Sequence, residues 1–152
     1  MALGDFLSEE EKWKFFTEQF QPGRILYLHC DFTTPPKPKY LLTCCIEPRP
    51  HFFIINSGIN EFKRLRHNLR NLQVRIECVS HPCLSDDSYI DCSTLIDGEN
   101  IPDLEEQVMA DIGRLKDPLD QDTKTAVLLA TLMATTLSAQ QKALVQEGLT
   151  SV

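Results

Sequence analysis

Long hydrophobic runs are missing from this 152-residue chain: no stretch reaches the roughly 18 uncharged apolar residues that a membrane-spanning helix needs. The start of the chain carries an acidic run where a secretory signal would place lysines and an apolar block. A cytoplasmic protein with no membrane partner is the expectation. Standard phosphate cradles are lacking too, since neither G-x-x-x-x-G-K-[ST] nor G-x-G-x-x-G occurs, and H-E-x-x-H and G-x-S-x-G are equally absent. Support for most familiar enzyme classes goes with them. The six cysteines form no C-x-x-C pair, and no histidine is followed by another metal-ligating side chain at i+3 or i+4. No metal and no cofactor are expected. The cysteines read as buried reduced thiols, with adjacent Cys44 and Cys45 pointing to opposite faces of a strand, one of them open to oxidation.

Basic charge is scarce overall and unevenly spread. Residues 1–75 hold eleven Lys/Arg against eight Asp/Glu, whereas residues 76–152 hold four against fourteen, which gives the net charge of −7. An acidic total disfavours indiscriminate nucleic-acid binding and duplex DNA in particular. Within the first half, however, Lys63, Arg64, Arg66, Arg70 and Arg75 face the single acid Glu61. Such a segment either meets a polyanion or forms a solvated face that balances the acidic half.

One domain spanning 1–152 is expected from the length and from the 42% hydrophobic content. Ser8-Glu9-Glu10-Glu11 is a capping box, and it predicts a helix over 8–20 with Trp13, Phe16 and Phe20 on one stripe. Pro22-Gly23 stops it. Short β-rich runs follow at 24–32, 40–46, 51–56, 74–79 and 88–95, with connections too short for helical crossovers except at 56–72. The segment 33–39 contains three prolines and reads as an exposed basic loop. From 102 the apolar period becomes helical: one helix ends at Asp117-Pro118, a mostly apolar one covers 123–137, and a third starts at the capping box Ser138-Ala139-Gln140-Gln141. The fold class expected is α+β: a small curled antiparallel SH3-like β-barrel of five strands over 23–96, with an N-terminal helix and a helical C-terminal third over 102–149. The uncharged stretch 126–136 asks for cover, either from the barrel or from a second copy in a homodimer.

Several strand segments resemble the MazF/PemK-like toxins, ribonucleases built on an SH3-like barrel. Pro22-Gly23-Arg24-Ile25-Leu26-Tyr27-Leu28 is similar to the family's opening strand, and Asp31-Phe32 to the pair that closes it. Lys37-Pro38-Lys39-Tyr40-Leu41-Leu42 resembles the start of its second strand, Phe53-Ile54-Ile55-Asn56-Ser57 its apolar third strand, and residues 87–95 its late strand. The resemblance implies metal-independent cleavage of single-stranded RNA, a homodimer and an antitoxin partner. It also implies a cation and a hydroxyl at Lys37 and Ser57. The chemistry is attack of the ribose 2′-OH on the adjacent phosphate, so a cation must neutralise the phosphorane while a hydroxyl positions it. Lysine neutralises but cannot make the arginine fork. Arg24 adds a cation where the family carries an aspartate, and His81 is a candidate general base. The candidate catalytic set is therefore Lys37, Ser57, Arg24 and His81. The candidate RNA-binding set is Lys39, Lys63, Arg64, Arg66 and Arg70, with Tyr40, Phe52 and Phe53 as candidate stacking faces. Plainer readings stand beside these: lysines that solubilise a proline loop, a Ser57-Gly58 turn, and a satisfied surface histidine. The alternative function is a catalytically inactive barrel that binds protein or RNA.

Overall fold

The structure, a computed structural model, describes residues 6–151. Helix α1 (Glu9–Gln19) begins at the Ser8 capping box, in which Glu11 N–H donates to Ser8 Oγ at 3.1 Å and Ser8 N–H donates to Glu11 Oε1 at 3.2 Å. Its buried ridge is Phe16, continued by the capping residue Phe20, whose ring stacks on Phe52 at 6.4 Å; Trp13 remains 46% exposed. Gly23 then takes φ +92°, a turn that favours glycine, and its backbone bridges Thr43 O and Leu119 N.

The strands are β1 (Arg24–Cys30), β2 (Lys37–Cys45), β3 (His51–Asn56), β4 (Gln73–Ile76), β5 (Ser88–Asp97) and β6 (Leu115–Pro118). They form one curled antiparallel half-barrel in the order β4-β5-β3-β2-β1-β6. Two short helices, α2 (Glu61–Arg64) and α3 (His67–Arg70), carry the chain from β3 past β5 to β4. Helix α4 (Leu104–Ala110) precedes β6, and α5 (Gln121–Met133) and α6 (Ala139–Thr150) close the chain. The α+β class and the small curled antiparallel sheet are as the sequence predicts.

Alternation along the strands gives the sheet two apolar faces. On one, Ile25, Leu42, Phe53 and Ile90 pack under Val127 of α5 and Val145 and Leu149 of α6. On the other, Leu26, Leu28, Leu41 and Phe52 pack under Phe16 and under Val108 of α4. Phe52 and Phe53 are both fully buried, so neither offers the base-stacking face expected of it; each contributes up to about 3 kcal/mol of burial instead.

The remaining differences have local causes. The helix expected up to Asp117-Pro118 ends at Ala110, where a 3-10 turn over Ile112–Arg114 feeds β6, a sixth strand on the sheet edge. Charged, proline-ended edge strands carry little hydrophobic signal. Lys37–Lys39 is not loop but the start of β2, paired with Cys30, His29 and Leu28 of β1. Cys44 and Cys45 are both buried, because α6 lies directly on them. Helix α5 buries Val127, Ala130 and Thr131, while Leu129, Leu132 and Met133 stay 57–68% exposed.

Candidate functional site

Strand register builds a polar row across one end of the sheet. Lys39 faces Leu28, and its Nζ donates to Asn56 Oδ1 on β3 at 2.7 Å; Asn56 pairs with Tyr89 of β5, and Tyr89 with Arg75 of β4. Lys37 lies two residues before Lys39, on the same face of β2. Beyond the row, residues 56–60 turn away from β3 and enclose with Lys39 a hollow of about 310 Å³ lined by Asn56, Ser57, Gly58 and Asn60. The Asn60 side chain caps α2 by accepting from Lys63 N–H at 2.9 Å.

The electrostatics of this hollow are one-sided. Lys39 is half-buried, and burial together with the charge of Lys37 lowers its ammonium pKa from 10.5. Neither lysine is ion-paired among the described residues. Two ammonium groups held near each other with an amide as the observed partner repel, and an anion between them relieves the repulsion.

The other cations of the basic half are differently placed. Lys63 reaches from α2 to the buried carboxylate of Asp91, which also accepts from Gln73 Nε2 at 2.9 Å and Ser93 N–H at 3.0 Å. Burial by itself would raise the Asp91 carboxyl, yet the hydrogen bonds from Lys63, Ser93 and Gln73 together hold it below 3.8. Arg75 is bound by Asp87 at 2.7 Å, an exposed carboxyl that Arg75 and the Cys78 N–H pull down to about 2. Arg66 lies over the Phe62 ring at 3.6 Å, Arg70 donates toward His67 Nδ1 at 2.7 Å, and Arg64 is exposed.

Of the four candidate catalytic residues, the fold brings Lys37 and Ser57 to one end of the sheet and sets the other two elsewhere. Arg24 occupies the far end of β1, six residues from the Cys30 that pairs with Lys37, or about 20 Å along the strand. There it donates to Gln19 O and Lys116 O and ties α1 to β6. His81 is fully buried beneath the start of α5, where Nε2 accepts from Asp120 N–H at 3.1 Å and Nδ1 donates to Glu77 O at 3.1 Å. Both nitrogens are occupied, and it does not line the hollow. Tyr40 spends its hydroxyl on Cys83 O at 2.9 Å. Asn56 and Asn60, which shape the hollow, have no chemical motif to announce them.

A second cluster has the order of a thiol, base and acid. Cys45 Sγ lies 3.4 Å from His51 Nδ1, and His51 Nε2 lies 3.7 Å from Asp97. However, Nδ1 has a shorter partner in Arg49 O at 2.9 Å, Asp97 is bound by Arg49, and burial pushes the Cys45 thiol up from 9.0. This set closes the β2–β3 connection. No group of His, Cys, Asp or Glu with metal-holding geometry occurs among the described residues, and no helix there is long and apolar enough to cross a membrane. The chain matches no protein family, no curated protein and no solved structure at a significant level.

Proposed function

We propose that this chain is a divergent MazF/PemK-like protein whose hollow at Lys39, Asn56 and Ser57, with Lys37 two residues before Lys39 on the same face of β2, takes a phosphodiester of single-stranded RNA. The supporting observation is that these two lysines share one face of β2, two residues apart, without a carboxylate, while Lys63, Arg75 and Arg49 of the same half are each paired with one, Arg66 lies over the Phe62 ring and Arg70 donates toward His67. A phosphate accepts from both ammonium groups and from the Ser57 hydroxyl. Single strands fit better than duplex because the acidic second half repels a second backbone.

Binding is better supported than cleavage. Attack of a 2′-OH on the neighbouring phosphorus breaks the P–O5′ bond, so one group must take the 2′ proton and another must supply a proton to the leaving oxygen. Lys39, with its lowered pKa, suits the second task. The hollow's lining holds no histidine or carboxylate for the first. The test is Lys37→Ala/Lys39→Ala with a short end-labelled RNA. Expected is weaker binding, and a salt slope reduced by about 1.4 if each lysine meets one phosphate. Equal affinity and equal slope for both proteins would remove the reading. Cleavage would appear as 2′,3′-cyclic ends produced by the wild type and lost in the double variant.

The homodimer and the antitoxin partner belong to the same reading. The exposed Leu129, Leu132 and Met133 offer a second copy an apolar face, and light scattering at twice 17.3 kDa is the expected result.

A further inference from the structure

A second cavity of different chemistry, of about 320 Å³, lies at the edge of β5 beyond the end of β4. Its apolar walls are Phe62, Leu69, Leu95 and Leu137, and Thr94 and Gln141 add polar groups. Gln141 uses its Oε1 to accept from Ser138 N–H, and its Nε2 amide has no partner among the described residues. Phe62 is the unusual member. A phenylalanine 57% exposed forgoes most of its burial energy, yet this one is held in place, with the Arg66 guanidinium 3.6 Å from its centroid and Arg66 Nη1 donating to Phe62 O at 2.8 Å.

The two hollows share α2 as a wall. Asn60, its N-cap, lines the phosphate hollow, and Phe62, two residues on, lines the second cavity. Two residues span at most about 7 Å of chain, so a residue lining one cavity and a residue lining the other are near neighbours on this segment. The Lys63–Asp91 pair pins that helix to the sheet, and Lys63 also lines the second cavity. Apolar walls with an aromatic ring and amide and hydroxyl groups suit a flat ring with polar edges.

We infer that this cavity receives an unpaired base of the strand whose phosphate lies at Lys37 and Lys39, with Phe62 as the stacking platform. The inference rests on the RNA-binding reading above. Stacking on a positioned aromatic ring is tolerant of base identity, so the gain is expected for any sequence.

The test compares an oligouridylate heptamer with an abasic ribose-phosphate chain of equal length. Wild type is expected to bind the heptamer about tenfold more tightly than the abasic chain. Phe62→Ala and Phe62→Leu should erase that difference while leaving abasic affinity and melting temperature unchanged, and Phe62→Tyr should keep it. Equal wild-type affinity for both chains overturns the inference, as does a Phe62→Ala that weakens both equally. Failure of the underlying reading looks different. Neither chain would then bind, or Lys37→Ala/Lys39→Ala would bind the abasic chain as well as wild type does, and the base pocket would fall with it.

Discussion

Strand β2 ends in two opposite ways. At Cys44 and Cys45 it is sealed: α6 crosses so closely that a Cβ on Gly148 would stand 2.0 Å from Cys44 O and 2.9 Å from Cys45 Cβ. At Lys37 and Lys39 it is open, with like charges side by side and a polar hollow beyond them. One end is optimised for packing, and the other gives up pairwise electrostatic balance. On the reading proposed above, a bound anion relieves that imbalance.

The sharpest way to break the sealed end is Gly148→Ala. The added methyl meets backbone, which cannot swing aside, so α6 must lift from β2. A loss of about 3 kcal/mol is expected, lowering the melting temperature by about 10 °C, with the RNA affinity of the folded protein unchanged. An unaltered melting curve would show that α6 does not sit as tightly as described.

Gly148 also shows why part of the fold was hidden in the sequence. As a letter near a chain end it reads as a weak helix terminus, and only the crossing of α6 over β2 gives it a purpose. The two capping boxes, at Ser8 and Ser138, were legible because their whole mechanism lies within four residues. So was β3, at the bounds expected. The candidate site was legible only in part. Lys37 and Ser57 were named from a resemblance, but the partner of Lys39 depends on an irregularity between Thr43 and Cys45. Counted back from the Cys45–His51 pair without that irregularity, Lys39 would face Ser57; with it, Lys39 faces Asn56. A one-residue shift leaves no mark on composition. His81 was misplaced for the same kind of reason, since its acceptor and donor, Glu77 O and Asp120 N–H, are backbone groups brought together by the fold.

Between the two ends stands the Lys63–Asp91 pair, buried enough to matter and near enough to the hollow to steer α2. Asp91→Ala takes the acceptor from Lys63 and from Ser93 N–H, while Gln73 Nε2 keeps Leu69 O at 3.3 Å. Lys63 is 23% exposed and can turn outward, so the cost should be about 2 kcal/mol rather than the larger loss of a sealed pair. Because the folded carboxyl lies below its ordinary value, its contribution is present above about pH 4 and is lost as pH falls through the folded pKa. Stability from denaturant melts should therefore fall more in wild type than in Asp91→Ala as the pH drops below about 4. Parallel curves would count against the pair as the cause.

At the open end the expected effect on stability is smaller still, and opposite in sign. Lys37→Ala/Lys39→Ala removes a repulsion and little packing, so the melting temperature should hold or rise slightly, within about 0.5 kcal/mol, while RNA binding falls. A drop comparable to that of Gly148→Ala would mean that this end is structural after all.

The smallest effect belongs to Arg75 and Asp87, a pair that resembles Lys63–Asp91 in chemistry but not in setting. The Arg75 and Asp87 side chains are 60% and 42% exposed, so water and salt already screen the charges that the fold brings together. Arg75→Ala should leave the melting temperature at neutral pH and 150 mM salt nearly unchanged. Asp87 keeps a second donor, the Cys78 N–H at 2.9 Å, which outlasts the loss of the guanidinium. The difference should surface only in acid. The folded Asp87 carboxyl titrates at about 2 against 3.8 for the free group, so whatever it contributes is present above pH 3.8 and disappears as the pH drops toward 2. Without Arg75 the folded carboxyl lies closer to 3.8, so the contribution is smaller and its loss is complete at a higher pH. Following the Asp87 carboxyl by NMR in low and high salt separates the two donors: the arginine's share should shrink as salt is added, and the backbone amide's share should not.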